Sequence, residues 1–274
     1  MAELREWLDE LYRHYNDRRF VSPDPLASLY RYSDFRDREI AGILAAGLAY
    51  GNVKSIVASV ENLLARFGSS PRDFLLNTLP KKMEARIGSF RHRWTTADEV
   101  ANFLAAAHVI CDRHGSLGVA LFSHLNPNDT DIQPALARWH AELRATGLAA
   151  DNSLLSDPSK SSACKRLHLF LRWMIRCDAV DPGGWGTEPG GIGISPSLLL
   201  MPVDVHIHRI ARQLRFTRRR AADLRAAREI TRGFLRIAPD DPVKYDFALT
   251  RLPLHEKLRG VPLRRAIADY LALR

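Results

Sequence analysis

The segment Met-Pro-Val-Asp-Val-His-Ile-His-Arg-Ile-Ala-Arg-Gln-Leu, residues 201–214, places a carboxylate where an apolar stretch becomes a helix. Pro202 keeps its predecessor extended, so Asp204 can accept hydrogen bonds from the first backbone N–H groups of that helix. The apolar face of the helix is formed by Ile207, Ile210, Ala211 and Leu214. A carboxylate that backbone donors orient and keep ionised suits a reaction that develops positive charge. The alternative is an ordinary helix cap.

Helical periodicity dominates the rest of the chain, and strand-like alternation is nearly absent. Gly51 suits a helix C-terminus and Asn52 the N-cap of the next helix. The longest loop, 178–196, contains six glycines and three prolines. The sequence therefore predicts an all-α fold. The predicted helices cover 3–13, 37–49, 53–67, 97–113, 116–124, 132–145, 161–176, 205–214, 220–237 and 241–250.

Cysteine usage and hydropathy predict a cytoplasmic protein. The three cysteines, Cys111, Cys164 and Cys177, are odd in number and widely spaced, which excludes a disulfide framework and a four-cysteine metal site. The chain has no apolar run of about eighteen residues, and charges interrupt the N-terminus where a signal peptide needs an apolar core. We therefore expect no membrane partner.

The charge of the chain agrees with a nucleic-acid partner. Forty Lys plus Arg against 31 Asp plus Glu give a net charge of +9, and the pI is near 9.8. Ten arginines lie between residues 209 and 236, where Asp223 and Glu229 are the only acids. Such a surface is complementary to a phosphate backbone. The alternative is a solvated Arg-rich helix face.

The string Pro-Val-Asp-Val-His-Ile-His-Arg-Ile-Ala-Arg resembles the segment that carries the catalytic Asp in the helix-hairpin-helix superfamily of DNA glycosylases, in particular endonuclease III and the oxidised-guanine glycosylases. Four segments also resemble a bacterial family labelled as a domain of unknown function, a distant branch of that superfamily. These segments are Asp37-Arg-Glu-Ile through Ala49-Tyr-Gly51, Ser156-Asp-Pro-Ser-Lys through Phe170-Leu-Arg-Trp-Met174, the Asp204 segment, and Asp241-Pro-Val-Lys-Tyr-Asp-Phe-Ala248.

The resemblance implies a two-lobed helical fold with the active-site cleft between the lobes. By analogy, residues 24–198 form a helical barrel-like lobe, and residues 1–23 plus 199–274 form a second helical lobe that carries the Asp204 helix. In this reading Asp204 stabilises positive charge on the deoxyribose and activates water, after the target base has been flipped into a pocket. The chain lacks the cysteines of the C-terminal iron–sulfur cluster found in endonuclease III relatives, so we expect no cluster and no cofactor.

A glycosylase that also cleaves the DNA strand needs a lysine nucleophile. Oxidised-guanine glycosylases place it about twenty residues before the Asp, but this chain has no lysine between 166 and 203. In an archaeal branch the lysine lies earlier, at a place that Arg172 or Trp173 occupies here, and neither can form an imine. Lys165 is the remaining candidate, with a phosphate contact or a surface charge as the alternative. A monofunctional glycosylase is therefore the preferred interpretation.

Further residues are predicted to contact DNA or the flipped base. The loop Ser159-Lys-Ser-Ser-Ala-Cys-Lys165 combines small side chains, lysines and a helix start, which suits a phosphate, although a Ser-capped surface helix gives the same pattern. The predicted DNA contacts are Tyr50, Asn52, Lys160, Ser161, Ser162, His206, Arg209, Arg218 and Arg219. The predicted base-pocket or stacking residues are Trp173, Trp185, Tyr245 and Asp178; for the three aromatic residues, core packing is the alternative.

His206 and His208 with Asp204 form an Asp-x-His-x-His pattern, but helix positions two apart point about 200° away from each other, so no metal site is expected. The sequence thus favours a DNA glycosylase that removes a damaged or modified base, in base-excision repair or in antiviral defence against modified phage DNA. The alternatives are a bifunctional glycosylase/lyase that uses Lys165, and a non-catalytic DNA-binding module of the same fold. Action on RNA stays open.

Overall fold

The computed structural model describes residues 2–251, and this part of the chain is mostly helical, as predicted. The α-helices are α1 (Ala2–Tyr15), α2 (Phe35–Gly47), α3 (Val53–Ala65), α4 (Pro71–Asn77), α5 (Pro80–Ile87), α6 (Ala97–His114), α7 (Leu117–Ser123), α8 (Gln133–Ala145), α9 (Lys165–Ile175), α10 (Val205–Gln213), α11 (Leu224–Leu235) and α12 (Asp246–Arg251). Short 3₁₀ helices cover Arg18–Phe20, Pro25–Arg31 and Pro196–Leu198. Strands β1 (Arg91–His92) and β2 (Thr95–Thr96) form an antiparallel hairpin.

All ten predicted helices have a counterpart in the structure, and the Asn52 side chain caps α3 as expected, accepting a hydrogen bond from the Lys54 N–H. Helix α9 begins four residues later than predicted. Cys164 has a left-handed backbone with φ +42°, and Ser162 forms an isolated β-bridge with Asp223. The loop before α9 is thereby tied to the start of α11. The N–H of Leu224 adds a 2.9 Å bond to the Ser161 carbonyl.

The periodicity analysis missed α4, α5 and the hairpin. Both helices begin with a proline, a residue that suits the first helical turn because its missing N–H is not needed there. The Ser70 hydroxyl caps α4 by accepting from the Asp73 N–H. At seven and eight residues, these helices are too short for a clear apolar period.

The larger hydrophobic cluster lies in the middle of the chain around α2, which is buried on nearly every side. Helix α2 packs against α9. The approach is close at Gly42, where an added Cβ would lie 3.2 Å from the Phe170 ring. A larger side chain at Gly42 would therefore push α2 away from its neighbours.

A second hydrophobic cluster combines α1 with helices from the later part of the chain. Trp7 of α1, Ile207 of α10, Phe234 of α11 and Leu249 of α12 all belong to it. Ile207, Ile210 and Ala211 are the buried residues of α10, which is the predicted apolar face. The predicted boundaries at 24–198 and at 1–23 plus 199–274 stay predictions, and Met1 and residues 252–274 lie outside the described residues.

Glu39 is a fully buried carboxyl in the middle of α2. It accepts hydrogen bonds from the N–H groups of Leu117 (2.9 Å) and Gly118 (3.2 Å) and from Trp185 Nε1 (3.0 Å). Burial raises the pKa of Glu39 to about 7, and the three donors offset only part of that effect. Glu39 therefore joins α2 to the start of α7 and to the glycine-rich loop while binding its proton tightly.

The stability of the fold should fall as pH rises through the window set by Glu39. Between about pH 4.5 and 7 the folded chain keeps a proton that the unfolded chain has released, so rising pH favours unfolding, by on the order of 3 kcal/mol across the window. Urea unfolding at pH 5 and pH 8 measures this, and Glu39→Gln should flatten the dependence. Glu84→Gln, at an exposed position on α5, is the control. Equal pH slopes in the unaltered chain and Glu39→Gln would contradict the assignment.

Candidate active site

Asp204 is the N-cap of α10, as its sequence context predicts. Its Oδ1 atom accepts the N–H of His206 at 2.9 Å and the N–H of Ile207 at 2.8 Å. These two bonds fix the carboxylate relative to α10 and leave the second oxygen, Oδ2, for another partner. The side chain is 19% exposed, so the carboxylate is shielded from bulk water without being sealed off.

The partner of Oδ2 is Lys165, the first residue of α9, whose Nζ lies 3.7 Å away. Lys165 precedes Asp204 by 39 residues and is the lysine that remained as a candidate nucleophile in the sequence. The structure brings them together because α9 and α10 begin beside each other. The Lys165 side chain is 41% exposed, which leaves its amine accessible to a ligand.

An open cleft of about 560 Å³ lies on the Lys165 side of this pair. Its volume falls within the range of small-molecule sites, about 300–1,000 Å³. Two loops predicted to contact DNA, at 50–52 and 159–165, contribute to its wall. The lining residues are Asp24, Pro25, Ala49, Tyr50, Gly51, Ile56, Ser156, Ser162, Lys165, Arg166 and Leu169.

Tyr50 and Arg166 form a rigid part of this wall. Arg166 donates to the Gly47 carbonyl and, at 2.7 Å, to the Ser153 carbonyl. Its guanidinium lies 5.2 Å from the centre of the Tyr50 ring. The Tyr50 hydroxyl donates to the His92 carbonyl at 2.8 Å and is 2.6 Å from the Thr95 hydroxyl oxygen. The end of α2 is thereby joined to α9 and to the hairpin, so the cleft wall is held before any ligand binds.

A buried ionic network lies farther along α9. Arg172 donates to Asp181 at 3.2 Å and to Asp246, and all three side chains are at most 3% exposed. Arg176 contacts Asp181 as well, together with two other carboxylates, Asp178 and Asp241, each at 2.8 Å. This network connects α9 to the glycine-rich loop and to the start of α12.

Asp246 couples this network to the candidate pair. Burial raises the pKa of Asp246, while Arg172 lowers it. The charge of Asp204 adds to the raising effect and that of Lys165 opposes it, so the two sites interact electrostatically. In the sequence, Asp246 belongs only to one of the family segments. Its role as an ion-pair partner depends on the folded chain, in which α12 begins beside Arg172 of α9.

The other predicted DNA contacts are distributed over the surface around the pair. Lys160 is exposed, with its Nζ 3.8 Å from Asp157 Oδ2, and Ser161 and Ser162 are exposed beside it. Asn52 is exposed while it caps α3. Tyr50 and Ser162 line the cleft itself.

The predicted DNA contacts on α10 and in the segment after it differ in how free their side chains are to bind DNA. Arg209 and Arg218 are exposed, and His206 is half-buried with its Nδ1 atom 3.4 Å from Arg209 Nη2. Arg219 forms a two-bond ion pair with Asp223, at 3.0 and 2.7 Å. Its guanidinium is therefore already engaged, which leaves Arg209 and Arg218 as the freer cations.

Four predicted base-pocket residues occupy structural positions instead. Trp173 and Trp185 are 0% exposed and Tyr245 is 1% exposed, so their rings pack in the hydrophobic clusters and present no face to a base. Asp178 is held by Arg176, by the Tyr12 hydroxyl at 2.9 Å and by the N–H groups of Val180 and Asp181. The three aromatic residues pack in the core, which was the alternative to base stacking. Asp178 belongs to the ionic network. The spacing of aromatic residues in the sequence did not distinguish core packing from stacking on a base.

Trp94 was not among the predicted site residues, although it is exposed and contacts Tyr50, a predicted DNA contact. It lies in the turn of the hairpin, 57% exposed, and its ring stacks on Tyr50 with 4.5 Å between ring centres and 12° between planes. The available signal was an aromatic residue in the polar string Arg91-His-Arg-Trp-Thr-Thr96. A single exposed ring is common on protein surfaces, so this string alone does not indicate a binding site, and the stacking of Trp94 on Tyr50 is what connects it to the predicted contacts.

Among residues 2–251, no group of three or more His, Cys, Asp or Glu is placed to hold a metal ion. His208, one of the two histidines of the Asp-x-His-x-His pattern, instead has its Nε2 atom 3.1 Å from the Arg219 carbonyl. Within the same described part of the chain, no helix is long and apolar enough to cross a membrane.

Residues 24–255 match the family described as "Protein of unknown function (DUF2400)", and the chain belongs to this family. The matched range includes Lys165, Asp204, the cleft and the ionic network. No curated protein and no solved structure matches the chain.

Proposed function

We propose that this protein is a DNA glycosylase in which Asp204 and Lys165 form the reacting pair. The observation that carries the proposal is the 3.7 Å contact between Lys165 Nζ and Asp204 Oδ2 beside an open cleft. An amine that lines the cleft and a carboxylate paired with it are the groups that cleavage of a base–sugar bond followed by strand cleavage requires. This contact favours the bifunctional reaction over the monofunctional one that the sequence alone favoured.

The chemistry starts from the ion pair. Asp204 accepts a proton from the Lys165 ammonium, and the free amine then attacks C1′ of the deoxyribose. The bond from C1′ to the base breaks, its electron pair leaves with the base, and Asp204 gives its proton to the base and becomes a carboxylate again. The nitrogen now bound to C1′ loses a proton to water, the C1′–O4′ bond breaks with its electron pair going to O4′, O4′ takes up a proton, and the C1′=N imine with Lys165 forms. The restored Asp204 carboxylate stabilises the positive charge of the protonated imine. In the monofunctional version water attacks C1′ and Asp204 accepts the water proton.

The same proposal assigns DNA to the basic surface. The exposed cations Arg209 and Arg218 and the serine-rich loop before α9 are suited to backbone phosphates on either side of the reacting nucleotide. The two hydrophobic clusters suit a two-lobed arrangement, with Asp204 at the start of a helix of the second cluster. The proposed setting is the cytoplasm, where the enzyme removes a damaged base or a modified base of phage DNA.

The proposal predicts a covalent intermediate that depends on Lys165. Purified protein is incubated with duplex and single-stranded DNA carrying oxidised, alkylated, deaminated or phage-modified bases, with borohydride added to reduce any imine. We expect one substrate to give a trapped protein–DNA adduct and strand cleavage without alkali. Lys165→Ala should lose the adduct entirely, because no amine remains 3.7 Å from Asp204.

Lys160→Ala is the matched control, since Lys160 is exposed and lies in the same loop region but pairs with Asp157. It should weaken binding at most moderately and keep the adduct. If the Lys165→Ala protein instead makes as many abasic sites as the unaltered protein, with strand cleavage at those sites only after alkali, that result would establish the monofunctional reaction. Tight, salt-sensitive binding without base release on any substrate would contradict the enzyme and favour the DNA-binding module.

A further inference from the structure

Trp94 is a large apolar side chain that lies outside the packed core. More than half of this large side chain is exposed, 57%, although burying it would be favourable. The hairpin turn holds it there: Arg93 adopts a left-handed backbone with φ +55°, and His92 pairs with Thr95 across the turn. The exposed position of the indole is thus built into the local backbone.

Tyr50 connects this indole to the cleft. One face of Trp94 stacks on the Tyr50 ring, and Tyr50 in turn lines the cleft that contains Lys165. The Tyr50 hydroxyl bonds on both sides of the hairpin turn, to the His92 carbonyl and the Thr95 side chain, so the Tyr50 ring is fixed relative to the turn that carries Trp94. A ligand that extends out of the cleft past Tyr50 therefore meets Trp94 next.

The charges around Trp94 indicate which ligand this is. The hairpin, residues 91–96, contains two arginines and no acid. The guanidinium of Arg93 lies 4.9 Å from the Trp94 ring centre, and Arg91 is exposed in the same hairpin. Proteins that bind single-stranded nucleic acids combine aromatic rings, on which bases stack, with cations that contact the phosphates.

We propose that Trp94 is a stacking platform for an unpaired base next to the nucleotide in the cleft, so that the preferred ligand is DNA with an unstacked base rather than a fully paired duplex. The inference rests on the proposed function for its assumption that a DNA strand enters the cleft. The base that stacks on Trp94 is a neighbour of the reacting nucleotide, outside the cleft.

Tryptophan fluorescence can test the platform directly. The chain has five tryptophans, and Trp7, Trp139, Trp173 and Trp185 are at most 2% exposed, so quenching by a stacked base reports on Trp94. The Asp204→Asn protein, in which base release should be about 10³-fold slower, is titrated with three dye-labelled DNA probes. The probes are a paired duplex, the same duplex with one extra unpaired base, and that duplex with an aldehyde-free abasic analogue, which cannot form an imine with Lys165, in place of the unpaired base.

We expect the unpaired-base probe to quench the emission and the abasic probe to leave it nearly unchanged. Trp94→Ala should weaken binding of the unpaired-base probe about tenfold, as measured by anisotropy of the dye, and should hardly affect the abasic probe. Trp94→Phe keeps a ring and should retain most of the affinity. Phe122→Ala removes another exposed ring, 45% exposed on α7 and outside the cleft lining, and should bind all probes normally.

The outcomes separate the two proposals. Quenching by the unpaired base with no base release by the unaltered enzyme would overturn the glycosylase assignment and keep the platform. Base release with no quenching, or an equal loss of affinity for the abasic probe in Trp94→Ala, would overturn the platform and keep the glycosylase. No binding to any probe would overturn both.

Discussion

Replacing Asp204 with asparagine should lower the rate of base release by about 10³-fold while leaving the protein folded. The amide carries no negative charge to stabilise the sugar cation and cannot accept a proton from Lys165 or from water. Single-turnover base release on the substrate found in the trapping experiment measures the effect. Because the step that is lost is chemical, the affinity for the DNA should change much less than the rate.

The fold should survive because asparagine is as good a helix cap as aspartate. The amide oxygen can replace Oδ1 as the acceptor of the His206 and Ile207 N–H groups. The free energy of unfolding should change by less than about 1 kcal/mol. Urea unfolding followed by circular dichroism checks this in the same preparation that is used for the rate.

Asp223→Asn is the matched control for a purely structural role. Asp223 is the N-cap of α11, accepts from the Ala226 N–H at 2.8 Å and pairs with a cation, Arg219, as Asp204 pairs with Lys165. It lies at the surface near the same basic region but does not contact Lys165. Its replacement should leave base release nearly unchanged. If both variants lose rate and stability in parallel, Asp204 serves only as a cap.

The sequence located both members of the candidate pair, but with the help of the glycosylase resemblance. The capping pattern places Asp204 at the start of a helix and the resemblance makes it the catalytic Asp, whereas Lys165 is the lysine that remains when the positions used by the resembled enzymes hold none. Their contact did not follow, because it depends on how α9 and α10 pack, and that packing is set by many apolar side chains at once. A local pattern specifies where a helix begins, but not which other helix begins beside it.

The same limit explains the aromatic residues. Trp173 and Trp94 are both tryptophans near basic residues in the sequence, yet one is 0% and the other 57% exposed. Trp173 lies on a helix whose length and period imply a buried face, whereas the hairpin at 91–96 is too short to give any period. The residue type was informative at both positions, but only the structure could assign one ring to the core and the other to the surface.

Replacing Arg172 with methionine should destabilise the fold by about 3–5 kcal/mol, since it leaves the buried Asp246 carboxylate without its cation and leaves Asp181 with Arg176 alone. Arg172 contacts Asp181 and Asp246, which are 0% and 2% exposed at the side chain. Methionine has a similar length and fills the space, so the loss reports on charge more than on a cavity. Urea unfolding gives the value. Arg31→Met, which removes an exposed partner of Glu61, should cost at most about 1 kcal/mol.

A second substitution distinguishes an ionic requirement from simple damage. If uncompensated charge is the cause, Asp246→Asn should recover part of the stability lost in Arg172→Met, because the neutral amide is cheaper to bury. Asp246 Oδ1 is already buried without a hydrogen-bond partner, so the amide loses little there. If the stability losses caused by Arg172→Met and Asp246→Asn simply add in the double variant, this explanation is refuted.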